Sequence, residues 1–196
     1  MIKHKKARGN SAAKGNIRII AGKHRGRKLP VILADGLRPT TDRVKETLFN
    51  WLMPYIRDAR CLDCFAGAGS LGFEALSRGA KGVTFIELNK AAATQLKQNK
   101  TLLKAENIDI INSDALAFLS GSEQQFDLVF LDPPFRQHLV EKAANLLNQG
   151  WLAEDALIYV EMEVEQGMAQ VPNNWLLLKE KVAGQVAYRL YQYKPG

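Results

Sequence analysis

The chain has 196 residues, with 46% hydrophobic and 24% charged residues, which is the make-up of an ordinary soluble globular protein with no need of disulfides or metal to fold. No apolar run approaches the 18 residues a membrane-spanning helix needs, and the basic N-terminus runs into Ser11-Ala12-Ala13-Lys14-Gly15-Asn16 rather than the apolar stretch of a secretory signal. The net charge of +7 is unevenly placed: residues 1–60 carry 15 Lys/Arg against 4 Asp/Glu, while the remainder carries 12 against 16, so a basic front sits on a mildly acidic body and a polyanion is the partner to expect.

Residues 1–15 are rich in Lys, Ala and Gly without periodicity and read as a disordered basic arm. Residues 17–33 read as a hairpin, with strands at Ile17–Ala21 and Arg27–Val31 about a turn at Lys23–Gly26. Lys23, Arg25, Arg27 and Lys28 crowd that turn, and like charges so close are favoured only when an anion lies against them. A helix follows, with Thr41 or Asp42 as N-cap and Val44, Leu48, Trp51 and Leu52 on its apolar face; Arg38, Arg43 and Lys45 lie at or near its entry.

From residue 60 strands and helices alternate. Strands read at 60–65, 82–87, 108–112, 126–131 and 156–161, and helices at 70–79, 90–104, 115–120 and 138–149. Two further strands, 175–182 and 185–193, flank Ala183-Gly184 as a hairpin, which turns the last strand antiparallel to the others. The expected fold is α/β: a Rossmann-like, doubly wound, mostly parallel seven-stranded sheet with an antiparallel last strand, plus a small N-terminal hairpin and helix. The organisation predicted is a basic arm at 1–15, a polyanion-contacting extension at 16–57 and the α/β domain at 58–196.

The first core strand runs into Leu62-Asp63-Cys64-Phe65-Ala66-Gly67-Ala68-Gly69-Ser70-Leu71-Gly72. Gly67, Gly69 and Gly72 satisfy G-x-G-x-x-G after a strand and before a helix, and Glu87 ends the next strand about 20 residues on, where an acid binds ribose hydroxyls. An adenosine-type cofactor follows. A carboxylate in the glycine loop is unwelcome beside a pyrophosphate and welcome beside an ammonium, so Asp63 favours S-adenosylmethionine over a nicotinamide dinucleotide. Asp114 could accept from the adenine amino group or simply cap a helix; Phe65, Leu88 and Ala115 neighbour these acids and are counted with the cofactor site. Cys61 and Cys64 have C-x-x-C spacing, but the three histidines show no ligand spacing, so no metal is expected and buried, reduced thiols fit a cytoplasmic protein.

Asp132-Pro133-Pro134-Phe135 follows the apolar strand 126–131. Proline cannot donate to a sheet ladder. At the carboxyl end of a strand, where open α/β sheets bind ligands, this rigid turn offers a carboxylate, a carbonyl and an aromatic ring to a planar group carrying an NH2. Such a turn serves any planar amine, in nucleic acid or in a glutamine side chain. A nicotinamide-dependent oxidoreductase and a non-enzymatic RNA-binding assembly factor are the remaining alternatives.

Together these segments resemble the successive motifs of class I S-adenosylmethionine-dependent methyltransferases, in the amino-group branch with its [DNS]-P-P-[YFW] signature. The front, Arg18–Gly22 through Arg38-Pro39-Thr40-Thr41-Asp42-Arg43-Val44-Lys45-Glu46-Thr47-Leu48-Phe49-Asn50, is similar to the bacterial RsmD family. That resemblance implies methylation of N2 of one guanine in 16S ribosomal RNA, on the small ribosomal subunit or its assembly intermediate, with S-adenosylhomocysteine as product. It also implies Asp132, Pro133, Pro134 and Phe135 as the catalytic turn, and fits Arg18, Lys23, Arg25, Arg27, Lys28, Arg38 and Arg43 as RNA contacts. Nothing in the sequence demands a dimer, so a monomer is expected.

Overall fold

A computed structural model describes residues 13–33, 41–121, 124–134 and 138–196. Arg38, Phe135 and residues 1–12 of the expected arm lie outside the described residues. The elements in chain order are β1 (Ala13–Arg18), β2 (Lys28–Leu33), α1 (Asp42–Leu52), β3 (Arg60–Asp63), α2 (Ser70–Ser77), β4 (Gly82–Glu87), α3 (Lys90–Leu103), β5 (Ile108–Asn112), α4 (Ala115–Leu119), β6 (Phe126–Leu131), α5 (Leu139–Leu147), β7 (Leu152–Glu163), β8 (Trp175–Ala183) and β9 (Val186–Tyr193).

β3 to β9 form one sheet in the order β5-β4-β3-β6-β7-β9-β8. β3 to β7 pair in parallel, and β9 enters between β7 and β8, antiparallel to both. The doubly wound sheet with an antiparallel last strand is therefore as the alternation of patterns predicts. Each face is covered. Phe49, Phe73, Phe85, Phe130 and Tyr159 belong to one core cluster, under α1, α2, α3 and the hairpin. Leu62, Val129, Val140, Leu147, Trp151 and Ile158 belong to the other, under α4 and α5. Strand order reverses on either side of β3, which makes the crevice between the carboxyl ends of β3 and β6 the place for ligands.

β1 and β2 form a separate antiparallel hairpin, from Ala13↔Leu33 to Arg18↔Lys28. The strand starts inside the stretch expected to be an arm: Gly15 has poor strand propensity, but its pairing with Val31 overrides it. Ladder pairing also stops earlier than the apolar pattern implies, because the backbone of 20–24 is turned into α2. Ile20 and Ala21 donate their N–H groups to Glu74 (2.9 and 3.1 Å). Lys23 donates its N–H to the Ser77 carbonyl (2.7 Å), and His24 its own to the Ser77 hydroxyl (2.9 Å). Gly22 adopts φ +82°, and a Cβ there would lie 1.8 Å from the Ser77 carbonyl oxygen, so the loop is pressed directly on α2.

α1 begins as expected, with the Thr41 hydroxyl accepting from the Val44 N–H (3.4 Å). Its inner face is shifted: Leu48, Phe49 and Leu52 are buried together with Lys45, whereas Val44 and Trp51 are half-buried. Lys45 donates to the Arg18 carbonyl (2.6 Å) and stands 4.0 Å from Glu74, which also holds Arg78 at 2.7 Å. Burial lowers the Lys45 pKa despite the opposing pull of Glu74 and Asp42. A buried lysine is tolerated here because it is hydrogen-bonded and faces an acid.

Candidate active site

β3 delivers Asp63 to the sheet edge, and residues 64–69 turn into α2. The three glycines do different work. Gly67 has φ +51° and nothing within 4 Å of where a Cβ would stand, so it opens onto free space at the ligand edge. Gly69 is the left-handed N-cap of α2. At Gly72 a Cβ would come within 2.3 Å of the Phe85 ring, so this glycine permits α2 to lie close on β4. Gly67 donates its N–H to Glu87 Oε2 (2.7 Å) and Gly72 donates its own to Asp63 Oδ2 (3.1 Å), which fixes both acids against the loop.

Asp63 is buried, and burial pushes its carboxyl up to about 7, with Glu87 adding to the rise and the Gly72 N–H opposing it. Glu87 also accepts from the Asn89 N–H (2.7 Å), and each of its oxygens keeps a lone pair for a ribose hydroxyl. Asp114 is exposed at the end of β5 and caps α4 by accepting from the Ala117 N–H (2.9 Å). Its loop is tied to the end of β4, since Asn112 donates to the Glu87 and Leu88 carbonyls. Leu88 is 69% exposed there, an apolar surface a purine would cover, while Phe65 is half-buried. Ala115 is buried in the core beneath α4, so its side chain does not face this edge. The Ser70 hydroxyl, at the first residue of α2, is buried without a hydrogen-bond partner. A buried acid with no cationic partner among the described residues, an orphaned hydroxyl, an open glycine and a carboxylate in register fit a cofactor with a cationic tail and a ribose, and so fit S-adenosylmethionine.

β6 ends at Leu131, and Asp132, Pro133 and Pro134 follow, with Asp132 half-buried, Pro133 buried and Pro134 exposed. A shallow open cleft lies beside the turn, lined by Pro133, Pro134, His138, Leu139, Val140, Glu161, Met162 and Gln166. Burial pushes the Asp132 carboxyl well above the usual range, with Glu161 and then Asp63 adding to the rise. Glu161, on β7, is not among the residues the sequence points to. It is 8% exposed and accepts from the Tyr159 hydroxyl (3.0 Å). Its only sequence signal is an acid that closes the apolar run Ala156-Leu157-Ile158-Tyr159-Val160.

The cations of the front are on the surface. Lys23, Arg25, Arg27, Lys28, Arg18 and Arg43 are all exposed. Arg27 donates to the Leu102 carbonyl (2.9 Å), and Arg18 stands 3.6 Å from Asp42. Burial of the His24 ring, with Lys23 and Arg27 nearby, lowers its pKa. Among the described residues no group of His, Cys, Asp and Glu is arranged to hold a metal ion, and no helix is long and apolar enough to cross a membrane.

A doubly wound sheet with its last strand inserted antiparallel, an acid-lined glycine loop at the switch point and an Asp-Pro-Pro turn on the adjoining strand define a class I S-adenosylmethionine-dependent methyltransferase. The family model described as "Conserved hypothetical protein 95" matches residues 17–192. Ribosomal RNA small subunit methyltransferase D of Escherichia coli (strain K12) is 60% identical over 184 residues, covering 93% of each chain. The protein of that name from Haemophilus influenzae is 60% identical over 185 residues, covering 92% of this chain and 95% of its own. A solved structure titled a putative methyltransferase from Escherichia coli superposes with a TM-score of 0.87 at 58% identity, over 92% of this chain and 99% of the other. At 16% identity, a putative methyltransferase complexed with SAH has a TM-score of 0.62 over 84% of this chain and 53% of its own, a likeness of fold. The chain belongs to the RsmD family. Membership removes the oxidoreductase alternative that the glycine pattern had permitted.

Proposed function

We propose that this enzyme transfers the methyl group of S-adenosylmethionine to the exocyclic N2 of one guanine in 16S ribosomal RNA, carried by the small ribosomal subunit or its assembly intermediate in the cytoplasm, and acts as a monomer. The observation that carries the amine-acceptor chemistry is the position of Asp132 and Pro133, at the carboxyl end of β6 beside an open cleft and next to the acid-lined loop at the end of β3. The choice of ribosomal RNA rests on the names of the relatives and on the cationic front; the choice of N2 rests on the family resemblance.

The cofactor supplies an electrophilic methyl carbon on a cationic sulfur. Asp63 and Glu87 hold its charged tail and ribose. Asp132 and the Pro133 carbonyl accept the two N–H bonds of the amine, draw the nitrogen toward tetrahedral geometry and free its lone pair. They also stabilise the positive charge that develops there, the converse of an oxyanion hole. Phe135 stacks on the base, which leaves its RNA stack to enter the cleft. The exposed cations of the hairpin loop and α1 contact phosphates.

The test is incubation with labelled cofactor and small-subunit particles from cells lacking the enzyme, followed by mass mapping of 16S guanines. One new N2-methylguanine is expected. Asp132→Ala should lower turnover by about two to four orders of magnitude while S-adenosylhomocysteine binding is kept. Methylation of DNA or protein in place of ribosomal RNA would overturn the substrate, and an active Asp132→Ala enzyme would overturn the mechanism.

A further inference from the structure

Methyl transfer to an amine leaves a proton to be disposed of, and the family motifs do not say where it goes. Parallel pairing of β6 with β7 aligns Leu131 with Val160, so the next position along each strand sets Asp132 beside Glu161. Glu161 borders the cleft together with Pro133, Pro134 and Met162, and its side chain shares the face of β7 that carries Tyr159, on the side of Asp132 at the end of β6. The Tyr159 hydroxyl, 3.0 Å away on the same face of β7, steadies its carboxylate.

We propose that Glu161 is a catalytic residue, the carboxylate that receives the proton released by the acceptor amine. This rests on the amine-methyltransferase reading above. In the step, the amine nitrogen forms its bond to the methyl carbon as the carbon–sulfur bond breaks. The electron pair of that bond stays on sulfur, which becomes a neutral thioether. The nitrogen, briefly cationic, gives the N–H proton held by Asp132 to the Asp132–Glu161 pair, which had shared one proton, so that both acids are neutral until Glu161 releases its proton to water. Asp132 grips the amine and Glu161 discharges it. Two acids side by side in a half-buried site do not both ionise freely, so the pair holds a proton between them at rest and presents one charged carboxylate to the amine.

The surroundings agree. Glu161 faces Asp132 from β6, with Asp63 beyond it on β3; Tyr159 lies on its own strand and Tyr188 opposite it on β9. His138 stands at the cleft wall. Arg189, opposite Val160, points to the other face of the sheet, where it binds Glu180. Burial raises the Glu161 carboxyl to about 7, and the Tyr159 hydroxyl opposes the rise. An acid so placed is charged and able to take a proton above neutrality, and is neutral and unable below it.

The experiment is single-turnover methylation of small-subunit particles from pH 5.5 to 9, with wild type, Glu161→Gln and Tyr159→Phe, each checked for thermal stabilisation by S-adenosylhomocysteine. For wild type the rate is expected to rise with pH through a limb set by the Asp132–Glu161 pair, whose carboxyls burial raises above the usual range, and to level above it. Glu161→Gln should lower the plateau by about 100-fold or more and abolish that limb, with stabilisation by S-adenosylhomocysteine unchanged. Tyr159→Phe, which removes a donor to the charged carboxylate, should move the limb upward by about one pH unit. A Glu161→Gln enzyme that retains both the rate and the limb overturns the proposal, as does a Tyr159→Phe enzyme whose limb stays in place. If wild type transfers no methyl to these particles, it is the underlying function that fails, an outcome separate from either.

Discussion

Replacing Glu74 by alanine is expected to destabilise the protein severely and to loosen the basic loop. Glu74 is fully buried in α2. Its two oxygens accept from the Ile20 and Ala21 N–H groups and from Arg78, and Lys45 stands 4.0 Å away. Alanine strands the buried Lys45 ammonium, takes the partner from the half-buried Arg78 and leaves two backbone donors unpaired. Removing one partner of a buried ion pair costs about 3–5 kcal/mol, and an unsatisfied donor about 1–3 kcal/mol more, though the two overlap. A net loss of about 4 kcal/mol or more is a large share of the 5–15 kcal/mol typical of a domain. At about 2–4 °C per kcal/mol for a chain of this size, the midpoint should fall by about 8–16 °C. Urea unfolding gives the free energy, and limited proteolysis reports whether residues 20–25 become cleavable. Glu74→Gln combined with Lys45→Met, which removes both charges while keeping an acceptor, should recover part of the loss. A Glu74→Ala protein less than about 1 kcal/mol weaker than wild type would refute the view that this carboxylate holds the loop to α2.

The glycines of the cofactor loop should separate cleanly. Gly72→Ala drives a methyl into the Phe85 ring and should cost about 1–3 kcal/mol of stability by thermal unfolding, whereas Gly67→Ala meets no atom and should chiefly weaken S-adenosylhomocysteine binding by calorimetry. Changing Arg25, Arg27 and Lys28 together to Gln should weaken RNA binding and reduce the slope of log K against log salt by about 0.7–0.9 for each phosphate that is no longer neutralised; an unchanged slope would show that these cations face solvent.

The fold was largely legible because each level of the sequence agreed. Apolar runs of strand length alternate with helical periods, and Thr41, Asn89 and Asp114 each cap the helix they precede. The acids and glycines of the cofactor edge were readable for a related reason: strand ends are where chemistry shows as a break in the apolar pattern. What escaped was charge buried by tertiary contact. Lys45 reads as a surface residue at a helix entry, and only the approach of the Arg18 carbonyl and Glu74 makes its burial tolerable. Glu74 reads as one more helical glutamate, since its partners are backbone donors more than 50 residues away. Glu161 escapes notice because it is one of several acids in β7, with no spacing to mark it. The loop at 20–24 reads as part of a free hairpin, and its docking on Ser77 is visible only once α2 is in place.

The seat of β9 between β7 and β8 has a consequence for how this protein is made. The strand carrying Glu161 stays open along one edge until residues 186–193 have been synthesised, because its neighbour there is the last strand of the sheet to be translated. Emerging from the ribosomal exit tunnel, the nascent chain can pair β3 with β4 early, whereas this edge of β7 is covered only after residues 186–193 have left the tunnel.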